Sequence, residues 1–240
     1  MIFHTVEHWI PVFPWVLQAA LLAGILLMYA GVLVRRRVAT PDGGVIPDEG
    51  VTLRNLLEVL VEWLAGMARD RMGPEWRNYF PLVGTMFFFI LVSNLMGLVP
   101  GFDGATSDAN TTWAWAAISW VFYTLIGIRK HGPIRYLVKF MGPSFFEKEI
   151  AGRTVHFRLI APLFMPLELL LDLARMLTLA VRLLANMYAD HTVIAVWLSL
   201  LPVGVPAIFM GLGLIISFLQ AFVFALLTMI YIGLALEEPH

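Results

Sequence analysis

Arg182 lies within residues 159–200, an apolar stretch where a permanent positive charge costs about 2.5–3.5 kcal/mol to embed in a bilayer. The polar residues around it are regularly spaced. At about 100° per helical residue, Thr178 falls about −40° from Arg182, Arg175 about 20°, Glu168 and Asn186 about 40°, and Asp172 and Asp190 about 80°. All seven share an arc of about 120°, and from Glu168 to Asp190 they cover about 33 Å of rise. That length matches a bilayer's hydrocarbon core, which is the geometry of a wet or charge-bearing path through protein. His191 falls about 180° away, on the opposite face.

The individual residues admit more than one reading. Arg175 has Asp172 at i−3 and Glu168 at i−7, so these three also fit a structural ion-pair cluster near one helix end. Arg182 differs, because no carboxylate stands three or four residues from it on either side. Asn186, at i+4, can hydrogen-bond a guanidinium but cannot neutralise it. The last apolar run, residues 207–236, contains no charged residue, and its Gly213, Ser217, Gln220 and Tyr231 fall within about 60° of one another. Gln220 can face Arg182 without a charge cost, or make an amide bond between helices. The carboxylate that compensates Arg182 is therefore most economically sited on another polypeptide.

The elements that must position these residues are membrane helices. Hydrophobic residues make up 60% of the 240 positions and charged residues only 14%, more apolar than a soluble core of this length requires. We expect an all-α polytopic membrane protein in one membrane domain, residues 1–240. The absence of cysteine excludes thiol chemistry, disulfides and thiolate metal sites, and the six histidines form no ligand cluster. No metal, cofactor or nucleic-acid partner is expected.

Five spans are predicted, at about 12–34, 79–99, 113–128, 159–200 and 207–236. Without a charged leader or cleavage site, the first run is expected to be retained as a membrane helix. Residues 1–78 hold that span and an amphipathic surface helix over 51–72, where leucines recur at helical spacing among Arg54, Glu58, Glu62 and Arg69. Residues 79–128 carry the second and third spans, 129–158 a basic segment broken by Gly and Pro, and 159–240 the final hairpin. One helix over 159–200 extends about 63 Å, twice the ~30 Å core, so a long, strongly tilted helix paired with the final one is expected. Of sixteen Lys and Arg, seven lie between Arg35 and Arg77 and seven between Arg129 and Arg158. Five spans put both groups on one side, which the positive-inside rule makes cytoplasmic, with the N-terminus outside and the C-terminus inside.

Several segments resemble the membrane-embedded a subunits of F-type ATP synthases. ARMLTLAVRLLANMYADH is similar to that family's RPLSLxxRLFGNM signature, with Arg182 on its essential arginine. FLQAFVFALLTMIYIGLALEE is similar to the final-helix pattern, with Gln220 on the glutamine that faces the arginine. TSDANTTWAWA resembles the segment before the third span and NYFPLVGTMFFFILVSNLMGLVPG the second span. Met176, Leu184 and Ala185 replace the signature's proline, phenylalanine and glycine. His191 stands where the family uses an acid or histidine, and Gly213 where some members carry a complementary histidine or acid.

The resemblance implies a stator with two offset half-channels against a rotating ring of c subunits, in a complex that also includes peripheral-stalk b subunits and sits in a bacterial inner membrane. It implies that Arg182 separates the two paths and favours an ionised ring carboxylate opposite it. Gln220 would support Arg182, His191 would serve the outer route, and Glu168, Asp172 and Asp190 would lend the half-channels polarity. The subunit would translocate ions and not be an enzyme by itself. Two other classes remain open on the residues alone. A secondary transporter calls for repeats or broken helix pairs, which are not evident, and a structural membrane subunit calls for an Arg182 that tolerates leucine.

Overall fold

The computed structural model describes residues 14–38, 50, 52–99, 102–133, 136, 146–150, 153–157, 161–201 and 204–237. Six long helices follow in order among them: α1 (Trp15–Val38), α2 (Leu53–Met72), α3 (Trp76–Gly97), α4 (Ala109–His131), α5 (Ala161–Leu200) and α6 (Val205–Leu236). The helix boundaries follow local chemistry. Thr52 caps α2 by accepting from the Asn55 amide at 3.3 Å, and Asp108 caps α4 by accepting from the Asn110 amide at 2.7 Å. Gly73, at φ 68°, and Pro74 end α2 and turn the chain into α3. Arg129, Lys130 and His131 occupy the last turn of α4, where positive charge complements the carbonyl end of the helix.

Among the described residues, four stretches are long and apolar enough to cross a membrane: α1, the α2–α3 run, α4 and α6. Helix α5 is not among them; it carries Glu168, Asp172, Arg175, Arg182 and Asp190. Its 40 residues nonetheless form one helix that continues through Pro166, in keeping with the long hairpin read from sequence. At about 1.5 Å per residue it reaches about 60 Å.

The core lies where α2, α3, α4, α5 and α6 converge. Leu64, Phe87, Ile90, Leu183, Phe224, Met229 and Ile232 are all buried there. Trp63 of α2 packs beside Phe222 of α6, with ring centroids 4.9 Å apart, and the Arg71 carbonyl lies where a β-carbon on Gly233 would sit. The amphipathic helix thus docks on the final helix. Helix α1 stands further out and joins α3 through a smaller cluster around Ala19 and Ala105.

Two contacts bring together the ends of α4 and α6 and the start of α3. Lys130 Nζ at the end of α4 donates to Glu75 Oε1 before α3 at 3.1 Å, and His131 Nε2 lies 3.2 Å from the Ala235 carbonyl near the end of α6. The structure adds one element the sequence reading lacked. Strands β1 (Phe146–Ile150) and β2 (Arg153–Phe157) pair antiparallel, Phe146 opposite Phe157, within the segment read as basic and broken.

Candidate functional site

Helix α5 buries Leu179, Ala180, Leu183, Met187 and Ile194 against the bundle, and the face next to them carries the polar stripe. Arg182 is exposed there beside Val181 and Ala185. It has no hydrogen-bond or ion-pair partner among the described residues. Its neighbours on that face of α5, Thr178, Ala185 and Ala189, are exposed as well, as are Val181 and Tyr188 further round the helix. The guanidinium thus stands on an exposed face of α5, with no acid partner among the described residues.

One turn along α5, Asn186 Nδ2 donates to Gln220 Oε1 at 2.8 Å. Of the two functions open to Gln220, the structure therefore shows the amide bond between helices. Gln220 is buried and Asn186 half-buried, so this bond fastens α5 to α6 directly beside Arg182. It also fixes which way the α5 face carrying the arginine points.

About 15 Å along α5 from Arg182, Asp172 is buried and held by three donors. Trp120 Nε1 donates to Oδ2 at 2.8 Å, and the Tyr123 hydroxyl donates to Oδ1 at 2.9 Å. Arg175 Nη1 reaches Oδ1 at 3.4 Å, and its guanidinium lies 5.5 Å from the centre of the Tyr231 ring. The ion pair expected of Asp172 and Arg175 is present; Glu168 takes no part in it. Glu168 is half-buried, has no ion-pair partner among the described residues, and lines a cavity of about 20 Å³ with Tyr123, Tyr136, Asp172 and Tyr231. One water molecule needs about 10–15 Å³.

In the other direction, about 14 Å beyond Arg182, His191 approaches the loop between α3 and α4. Its Nδ1 lies 3.8 Å from Asp103 Oδ1, near enough to feel the charge but too far for a hydrogen bond, and its Nε2 is buried without a well-formed hydrogen bond among the described residues. Gly97 permits this approach, because a β-carbon there would sit 2.6 Å from Met187 Cε and 2.8 Å from His191 Nε2. Nearby, Thr106 Oγ1 donates to Asn94 Oδ1 at 2.7 Å, and Asn94 Nδ2 donates to the Ser217 carbonyl at 3.4 Å. Ser217 Oγ is buried without a hydrogen-bond partner among the described residues. The space beside Gly213 is filled by Leu98, whose Cδ2 would be 2.5 Å from an added β-carbon. Asp190 is half-buried, with no hydrogen-bond or ion-pair partner among the described residues.

The structure therefore divides the sequence-derived residues into three groups along α5: Glu168, Asp172 and Arg175; Arg182, Asn186 and Gln220; and Asp190 with His191. Sequence reading did not single out Trp120, Tyr123, Tyr136, Ser93, Asn94 or Thr106 as site residues. A signal existed for some of them, since Trp120 and Tyr123 stand at i and i+3 on one face of α4, and Ser93-Asn94 interrupts an otherwise apolar span.

Residues 16–233 match the family profile described as ATP synthase A chain. The chain is 35% identical over 219 residues to "ATP synthase subunit a" of Bdellovibrio bacteriovorus, covering 91% of this chain and 90% of that one. It is 40% identical over 215 residues to "ATP synthase subunit a 2" of Syntrophotalea carbinolica, covering 90% and 82%. It is 36% identical over 231 residues to "ATP synthase subunit a" of Solibacter usitatus, covering 95% and 90%.

Proposed function

The chain belongs to the ATP synthase A chain family, and from that premise we propose that it is the proton-conducting stator, with Arg182 as the barrier between two half-channels. The observation that carries this reading is an exposed guanidinium on the outer face of α5, with no acid partner among the described residues and a polar group at a distance on either side. A ring of c subunits turning past that face would present one carboxylate at a time.

The electrostatics give each step a direction. A ring carboxylate crossing lipid must be neutral, because an ionised one there costs several kcal/mol. Near Arg182 the ionised form gains a cation in a poorly solvated setting, so the proton leaves. Arginine keeps its own proton under all ordinary conditions and so cannot relay one across the barrier. Bound protons must travel round with the ring instead, which couples their flow to rotation.

The polar groups at the two ends supply the routes. His191, Asp103 and Asp190, with the Asn94, Thr106 and Ser217 cluster nearby, serve the outer half-channel. Glu168 and its small cavity serve the cytoplasmic one, while Asp172, held by Trp120 and Tyr123, keeps Arg175 in place at its wall. Because Leu98 covers Gly213, the outer route in this chain runs past His191 and Asp103. The peripheral-stalk b subunits and the rest of the complex hold the chain against the ring, in a bacterial inner membrane with the N-terminus outside.

Reconstitution tests the reading. Vesicles containing this chain alone should pass no protons above lipid background, whereas vesicles with the complete complex should pump on ATP addition. Specific ion transport by the chain without a ring would favour a secondary transporter and overturn the proposal.

A further inference from the structure

Helices α1 and α3 pack together towards their outer ends, where Ala20 and Leu22 of α1 and Phe89 and Met96 of α3 surround the buried pair of Ala19 and Ala105, the latter in the turn after α3. Towards the cytoplasmic side they part, and with α2 they enclose a groove of about 1090 Å³ lined by residues 27–38 of α1, 57–62 of α2 and 80–88 of α3. Along α1 this stretch rises about 16 Å, half of the ~30 Å hydrocarbon core and hence one leaflet. A transmembrane helix from another protein needs the full depth, and its path would meet the Ala19–Phe89 contact. Acyl chains need only one leaflet.

The groove is also charged in a particular way. Arg35, Glu58 and Glu62 line it, and the rest of the lining is almost wholly apolar. Glu58 is bonded to Arg54 Nε at 2.8 Å, whereas Arg35 and Glu62 form no ion pair among the described residues. An anionic headgroup would gain from Arg35 but face two carboxylates. A headgroup carrying both a phosphate and an ammonium finds a partner for each charge. We propose that the groove binds one phospholipid of the cytoplasmic leaflet with a zwitterionic amine headgroup, its phosphate at Arg35, its ammonium at Glu62 and its tails between α1 and α3. Gly31 and Gly84 keep the floor open, since a β-carbon at Gly31 meets nothing within 4 Å and one at Gly84 meets only the Phe80 ring at 3.9 Å.

This inference uses the topology proposed above but not the proton path, so lipid retention and pumping can fail independently. The test takes the complete complex in nanodiscs of equal phosphatidylethanolamine and phosphatidylglycerol, extracts it, and counts retained lipid by native mass spectrometry. Phosphatidylethanolamine should be enriched about three- to fivefold over the bulk ratio, the discrimination that one partly screened ion pair supports. Glu62→Gln should abolish the enrichment, and Gly31→Leu should abolish retention with pumping preserved. Retained lipid that mirrors the bulk mixture would overturn the proposal. So would a photoreactive residue replacing Gly84 that captures a polypeptide and not a lipid.

Discussion

Asn186 and Gln220 meet side chain to side chain at 2.8 Å, the amide nitrogen of one helix donating to the amide oxygen of the next, one turn from Arg182. Burying either amide alone leaves it unpaired, so the single changes Asn186→Leu and Gln220→Leu should each loosen the hairpin. The double change should cost less than the sum of the two. Interhelical bonds of this kind carry about 0.6–1.7 kcal/mol of coupling in membranes, and a double-mutant cycle on the thermal stability of the complex measures it.

The three donors around Asp172 predict a different ranking. Tyr123→Phe and Trp120→Phe each remove one hydrogen bond to a carboxylate, worth about 1.5–3 kcal/mol. Asp172→Leu removes the acceptor from all three at once and should destabilise the complex more than either. Melting of the purified complex gives the order, and an Asp172→Leu protein as stable as the parent would remove the anchoring role.

Glu168 should behave otherwise, because it lines a cavity and has no ion-pair partner among the described residues. Glu168→Gln should leave stability within about 0.5 kcal/mol of the parent. Proton release on the cytoplasmic side should slow by about tenfold or more, while uptake from outside is preserved. Measuring conduction separately in the two directions distinguishes these steps, and a defect confined to uptake would reverse the assignment.

Gly97 makes a steric prediction at the other end. Gly97→Ala places a methyl group against Met187 Cε and His191 Nε2, both well inside contact distance. Pushing α3 from α5 should cost about 1–3 kcal/mol and disturb the outer route. Gly213→Ala meets only the flexible end of Leu98 and should cost less. Equal losses in the two variants would argue against a tight α3–α5 seam.

Much of this arrangement was legible in the sequence because lipid leaves few choices. An apolar run of sufficient length has to be a helix, and the stripe from Glu168 to Asp190 could be placed by angle alone. The lack of a same-helix carboxylate beside Arg182 was legible for the same reason, since Glu168, Asp172 and Asp190 all fall outside i±4 of it. What stayed hidden depends on other elements. Nothing in the spacing of α5 shows that Asp172 receives Trp120 and Tyr123 from α4, or that Gln220 bonds Asn186 in place of Arg182. The hairpin of Phe146–Ile150 and Arg153–Phe157 was missed because five-residue strands rich in charge carry little alternation to detect.

The central claim is that Arg182 acts on an acid brought to it from outside the chain, and substitution of that one side chain in the intact complex tests it most directly. ATP-driven proton pumping should be measured in vesicles carrying the parent, Arg182→Lys and Arg182→Gln. Both variants should fall to the level of vesicles without ATP, because lysine lacks the planar donor fork and gives up its proton more readily, and glutamine lacks the charge. Near-parental pumping by either variant would contradict the account.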